Sequence, residues 1–281
     1  MDIKILALDL DGTLLTDHNH VSAACRDAVQ AARKKGIQAV ICTGRNAADS
    51  YMFGDQAGGV DWAVTGNGAE VRSVPDGQVI FTQTLGEALC FALVDICERF
   101  GTDPCFYTSG AVYYGREFEQ FISDCAALGM KFDFIEREHF HRVPDHGWRA
   151  FVQERSGEIL KAILHASDPA LVDQMYAWIR QDDRFEAAPS EMFGGKLKNI
   201  EINRSGVSKG HALEVLANQL GCTMDNVMAI GDSDNDLTML RMSGLGIAMG
   251  NAPAHIQQAA NAVTAANTEN GVAQAIERYL L

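Results

Sequence analysis

Four short apolar runs in this chain each stop abruptly at a cluster of small and polar residues, and that recurrence limits the folds open to it more than any other feature. Ile3–Leu8 runs into Asp9-Leu-Asp11-Gly-Thr, and Gln38-Ala-Val-Ile-Cys into Thr43-Gly44-Arg45. Trp62-Ala-Val-Thr runs into Gly66-Asn67-Gly68, and Val227-Met-Ala-Ile into Gly231-Asp232-Ser-Asp-Asn235-Asp236. Nearly continuous apolar runs of this length fit strands buried on both faces, as in a parallel sheet covered by helices. Helical patterns fall between them: Ser22 is placed to cap a stripe of Ala24, Ala28, Ala31 and Ala32 that stops at Gly36, and a second helix is expected over His211–Leu220. Strands alternating with helices predict an α/β fold with a doubly wound, mainly parallel sheet.

The alternation breaks between about Glu87 and Phe185, where the pattern gives a helix, a hairpin over Cys105–Tyr114, a helix from Glu117, strands near Phe132–Ile135 and Ile159–His165, and a helix from Pro169. This mixture predicts an inserted α+β domain. The segment Glu186–Lys198, with Pro189 and Gly194-Gly195, reads as a linker, after which Ile200-Glu-Ile resumes the first pattern. The expected division is 1–84 and 191–281 for a core split in sequence, with 85–190 inserted. The insertion would hinge on its linkers, Gly194-Gly195 absorbing the motion.

In an open parallel sheet the ligand crevice lies beyond the carboxyl ends of the strands, where each polar cluster sits. Asp9 and Asp11 share strand parity and face one cavity if the chain stays extended. Two adjacent carboxylates repel unless a cation lies between them or one carries a proton, and Asp232 adds a third. Hard oxygen ligands of this kind suit Mg²⁺. An EF-hand loop fails on spacing, since Leu14 or Leu237 would occupy the sharp-turn glycine position.

Other motif matches carry less. Gly206-Val-Ser208-Lys-Gly210 satisfies the GxSxG pattern of a serine-hydrolase elbow, with Asp232 and His255 following, but Asn203–Val207 separates Ser208 from the preceding strand, so Ser208 reads better as a helix cap. Gly66-Asn-Gly68 lacks the third glycine of a dinucleotide fingerprint, and His139, His141 and His146 lack partners at zinc-ligand spacing. The 281 residues carry a net charge of −14 with no dense basic run, which argues against a nucleic-acid partner. Seven cysteines without a CxxC pair fit a reducing compartment, the aspartates at 2, 9 and 11 interrupt any signal-like start, and no run is long enough to span a membrane. A soluble cytoplasmic protein is expected, of unread oligomeric state.

In combination and in this order, Asp9-Leu-Asp11-Gly-Thr-Leu, Thr43-Gly44-Arg45, Lys209 in Gly206-Val-Ser-Lys-Gly, and Gly231-Asp232-Ser-Asp-Asn235-Asp236 resemble the four motifs of the haloacid dehalogenase (HAD) superfamily. Gly244-Leu-Gly-Ile-Ala-Met-Gly-Asn-Ala is similar to its Cof-like sugar-phosphate phosphatases, which carry a large α/β cap on a Rossmann-like core. The resemblance covers essentially the whole chain and departs at no motif position. It implies a Mg²⁺-dependent phosphatase of a small phosphorylated metabolite, with Asp9 as nucleophile and Asp11 as general acid and then base. It further implies Lys209 as the charge-neutralising cation, Thr43, Gly44, Arg45 and Asn235 as the phosphate cradle, and Asp9, Asp11 (through its carbonyl), Asp232 and Asp236 around the metal. A phosphomutase of the same fold and a binding protein without turnover are the alternatives, and the substrate itself has no motif.

Overall fold

A computed structural model describes residues 2–129 and 139–281. The chain divides into two compact units, one formed by residues up to Thr82 together with Val207–Leu281, the other by Gln83–Gly206. The strands are β1 (Ile5–Leu8), β2 (Gln38–Cys42), β3 (Trp62–Thr65), β4 (Glu70–Ser73) and β5 (Val79–Thr82), then β6 (Cys105–Tyr107), β7 (Val112–Tyr114), β8 (Phe140–Arg142), β9 (Lys161–His165), β10 (Phe185–Met192) and β11 (Leu197–Arg204), and finally β12 (Val227–Gly231), β13 (Leu245–Ala248) and β14 (Ala262–Val263). The helices are α1 (Ala23–Lys34), α2 (Ala47–Gln56), α3 (Glu87–Phe100), α4 (Arg116–Ala127), α5 (Trp148–Arg155), α6 (Pro169–Ile179), α7 (Lys209–Gln219), α8 (Leu237–Met242), α9 (Ala254–Ala259) and α10 (Gly271–Tyr279).

The first unit is an eight-stranded sheet in the order β14-β13-β12-β1-β2-β3-β4-β5, parallel from β14 to β3 and antiparallel over β4 and β5. Every residue of β1 is buried, and alternate side chains enter different layers. Leu6 and Leu8 join Val29 of α1 and Ile276 of α10, while Ile5 and Ala7 join Leu213 and Leu216 of α7. Each such aliphatic side chain contributes roughly 1.5–3 kcal/mol by leaving water, which is why the run tolerates no polar residue until Asp9. From β1 the chain winds one way to β2 and β3, and after the second unit it returns through β12 on the other side of β1. The carboxyl ends of β1 and β12 therefore flank the switch point at which such sheets form their crevice.

The second unit is a six-stranded sheet, β10-β11-β9-β6-β7-β8, antiparallel except between β7 and β8. Phe106, Ala162, Leu164, Ile200 and Ile202 on one face form a core with Leu93, Val152 and Met175 from α3, α5 and α6. Residues 186–198, read above as a linker, lie instead within the β10–β11 hairpin, whose tip is Phe193-Gly194-Gly195 with positive φ at all three. Ile200 and Ile202 pair with Leu164 and Ala162 of β9 rather than resuming the first sheet. Alternation marks a strand and its apolar side; it does not name the sheet the strand joins. The strand expected near Phe132–Ile135 falls outside the described residues. Among those described, no helix is long and apolar enough to cross a membrane.

Candidate active site

All four polar clusters lie at strand ends of the first unit. The Asp9 N–H donates to the Ile230 carbonyl at 3.1 Å, tying the end of β1 to β12. The chain then leaves extended geometry and closes a tight turn, Leu14 N–H donating to the Asp9 carbonyl and Leu15 N–H to that of Leu10. Gly12 has φ +76, and a Cβ there would lie 2.3 Å from Asp232 Oδ2, so neither the backbone nor the space admits another residue. Thr13 Oγ1 donates to Asp232 Oδ1 at 3.1 Å. Sequence reasoning missed Thr13, although it stands within the first motif, Asp9-Leu-Asp11-Gly-Thr-Leu.

After β12 the Asp236 carboxylate folds back on its own loop, Oδ2 accepting from the backbone N–H groups of Asp232 and Ser233 at 2.9 and 3.0 Å. Lys209 is the first residue of α7, behind Ser208, whose hydroxyl caps the helix by accepting from His211 N–H. This placement sends the Lys209 side chain, fully buried, between two carboxylates: Nζ donates to Asp9 Oδ1 at 2.7 Å and to Asp236 Oδ1 at 2.6 Å, with Asn235 Oδ1 at 3.3 Å. Asn235 also accepts from Ser233 Oγ at 2.7 Å and donates from Nδ2 to Asn67 Oδ1 at 3.2 Å.

Asp9, Asp232 and Asp236 bring one oxygen each to within 4.8 Å of the others, the only such group of potential metal ligands among the described residues. Burial pushes the Asp9 carboxyl well above the usual carboxylate range; the negative charges of Asp236, Asp232 and Asp11 push the same way and Lys209 opposes them. Asp232 is pushed up to about 6, first by burial and then by Asp236, against the pull of Thr13 and Lys209. Lys209 is held above its ordinary value by Asp236 and Asp9 despite its burial. With all three carboxylates ionised, one ammonium leaves two negative charges uncompensated, which is the charge of a divalent cation. The donor set fits one. Among the described residues no hydrogen bond reaches Asp9 Oδ2 or Asp232 Oδ2, whereas both oxygens of Asp236 already accept hydrogen bonds. Hard carboxylate oxygens are suited to Mg²⁺.

Asp11 lies apart from that trio. Its carboxylate receives the Arg45 guanidinium at both oxygens, and Arg45 also stacks 5.0 Å above the Phe53 ring. Past Leu10 the strand alternation ends, and the Asp11 carboxylate is held by Arg45 while its negative charge still acts on Asp9 and Asp232. Thr43 is buried, its hydroxyl accepting from Arg45 N–H at 3.1 Å across Gly44 and its carbonyl from Asn67 N–H at 3.0 Å. The elbow-like constellation does not assemble: Ser208 Oγ lies 2.9 Å from His211 Nδ1, while His255 pairs with Asp234.

Comparison with known proteins agrees with this geometry. The model of the haloacid dehalogenase-like hydrolase family matches residues 6–276. The chain is 31% identical to the putative phosphatase YxeH of Bacillus subtilis, over 99% of this chain and 98% of that protein. It is 30% identical to 5-amino-6-(5-phospho-D-ribitylamino)uracil phosphatase YcsE of the same organism, over 100% of this chain and 97% of that protein. A haloacid dehalogenase-like hydrolase of solved structure from B. subtilis superposes with a TM-score of 0.81 at 25% identity, over 99% of this chain and all of the other.

Proposed function

Because the chain belongs to the haloacid dehalogenase-like hydrolases, we propose that it is a Mg²⁺-dependent phosphatase of the Cof-like type that hydrolyses a small phosphomonoester of the sugar or polyol phosphate kind through an aspartyl-phosphate. The observation that carries this reading is the Asp9 carboxylate, set at the end of β1 with one oxygen held by Lys209 and the other without a hydrogen-bond donor among the described residues. A nucleophile ordered by its strand end and by a buried cation is what displacement at phosphorus needs.

Asp9 and Asp232, beside Asp236, would hold Mg²⁺, which would supply positive charge to offset carboxylates and phosphate alike. Asp9 attacks phosphorus and the bond to the leaving oxygen breaks, Asp11 giving that oxygen its proton. Water then attacks the phosphorus of the aspartyl-phosphate, Asp11 takes the proton, and release of inorganic phosphate restores the Asp9 carboxylate. Lys209 offsets charge on Asp9 and on the transferring group, and Thr43, Gly44, Arg45 and Asn235 form the cradle for the phosphoryl oxygens. The protein's charge of −14 repels a phosphate ester at a distance, so these local cations set the field the substrate meets.

The name of YcsE describes a phosphorylated ribityl chain on a heterocycle, and that class supplies the first compounds to assay. A panel of sugar, polyol and cofactor phosphates, read by phosphate release with Mg²⁺ and with EDTA, tests the reading: release from at least one small ester, abolished by EDTA, is expected. Release that survives exhaustive chelation, or none from any ester, overturns it.

A further inference from the structure

The turn Gly66-Asn67-Gly68 joins β3 to β4 and has no part in the chemistry described above. It is anchored on the loop after β2, Gly66 N–H donating to the Arg45 carbonyl and Asn67 N–H to the Thr43 carbonyl, both at 3.0 Å. On its far side Gly68, at φ +104, lies flat against the peptide that starts α7: a Cβ there would be 2.2 Å from the Ser208 carbonyl oxygen and 3.0 Å from Lys209 N. Only a glycine lets the turn reach the root of Lys209. Asn67 sits between the two glycines at φ 62, a left-handed conformation in which Asn is among the better tolerated residues. Its side chain is buried.

The polarity of the side-chain chain follows from elementary chemistry. An ammonium group only donates, so the Asn235 atom facing Lys209 Nζ has to be the carbonyl oxygen, and its NH₂ has to face Asn67. Asn67 must then offer an acceptor, and its Oδ1 does so at 3.2 Å. We propose that Asn67 is a positioning residue: its side-chain oxygen fixes the Asn235 amide with the carbonyl towards Lys209, and so helps hold the Lys209 ammonium on the Asp9 nucleophile, while Gly68 seats the peptide from which Lys209 springs. This rests on the reading of Lys209 as the partner of the nucleophile. It adds to that reading a residue outside the four motifs that controls where the cation sits.

Variants at Asn67, alone and combined with one at Asn235, separate this role from a purely structural one. Asn67→Gly keeps the positive φ and removes the acceptor, whereas Asn67→Asp keeps an acceptor in nearly the same volume. With p-nitrophenyl phosphate and Mg²⁺, Asn67→Gly is expected to lower kcat about tenfold with KM changed less than about twofold, because the interaction lost serves the transferring group more than the ground state. The melting temperature should stay within about 2 °C of the wild type. Asn67→Asp should retain kcat within about threefold. If Asn67 acts through Asn235, adding Asn67→Gly to Asn235→Ala costs nothing further. Wild-type kcat in Asn67→Gly, an equal loss in Asn67→Asp, or losses that multiply in the double variant overturn the proposal. Lys209→Met serves as the reference. Full activity there overturns the reading of Lys209 itself, whereas an inactive Lys209→Met beside multiplying losses overturns only the role of Asn67.

Discussion

Arg45 grips Asp11 at both ends of its guanidinium, Nε 2.8 Å from Oδ2 and Nη2 2.6 Å from Oδ1. The arginine side chain is 15% exposed and the aspartate 55%, so the fork comes from the packed side of the loop and fixes a carboxylate that still faces water. A fork of this shape sets the plane of the carboxylate as well as its position. Asp11 is the residue assigned the proton transfers, and its lone pairs have to be aimed at the leaving oxygen.

Arg45→Lys replaces the fork with a single point charge. We expect kcat to fall by about ten- to a hundredfold, while stability changes by less than about 1 kcal/mol because the pair is partly exposed. Steady-state kinetics beside thermal melting checks this. A variant that turns over like the wild type would remove Arg45 from the orientation of Asp11.

Lys209→Met keeps much of the side-chain volume and removes the charge, leaving Asp9 and Asp236 buried without their shared cation. Breaking a buried pair of this kind costs about 3–5 kcal/mol. The metal-free variant is expected to melt roughly 10 °C below the wild type, and millimolar Mg²⁺ should recover more of that loss than it adds to the wild type. Equal melting temperatures in EDTA would show that Lys209 is not what balances the carboxylates.

Much of this site was legible in the sequence, and the part that was not has a physical reason. A parallel strand buried on both faces has to be a continuous apolar run, so the ends of β1, β2, β3 and β12 show where Asp9, Thr43, Asn67 and Asp232 leave the sheet. Which side chains then touch is set by turn geometry. The turn at Leu10 sends Asp11 to Arg45, and the left-handed Asn67 reaches Asn235 across 168 positions of sequence. Glu186–Lys198 misled because proline and paired glycines mark a hairpin tip as readily as a linker.

His165 supplies a pH test confined to the second unit. It is 1% exposed and packed against Phe118 and Phe121, and among the described residues neither ring nitrogen has a hydrogen-bond partner. Burial pushes it down to about 4. An unfolded histidine titrates near 6.5, so the folded state disfavours the proton: the stability is fully present above about pH 6.5 and is lost as the pH falls towards 4, by about 3 kcal/mol. His165→Phe should lose that dependence. Between pH 7 and pH 4 the denaturant midpoint of the wild type should fall relative to that of the variant, and parallel curves contradict the assignment.

The unit Gln83–Gly206 enters and leaves the first unit at Thr82–Gln83 and Gly206–Val207, and we propose that it is a cap that selects substrate. Replacing it with the corresponding unit of another haloacid dehalogenase-like phosphatase should reorder substrates by kcat/KM and leave the Mg²⁺ requirement intact. An unchanged order in a folded chimera would place recognition in the first unit.

The central claim is that Asp9 carries the phosphoryl group. Acid quenching during turnover of p-nitrophenyl phosphate with Mg²⁺, followed by peptide mass analysis, should find one phosphoryl group on the peptide containing Asp9, and none in Asp9→Asn or after chelation. Asp9→Asn should at the same time lose turnover while melting close to the wild type. A variant that kept a tenth of the wild-type kcat would have raised the barrier by only about 1.4 kcal/mol, far too little for a lost nucleophile, and together with an unphosphorylated Asp9 peptide in the active enzyme it would contradict the account.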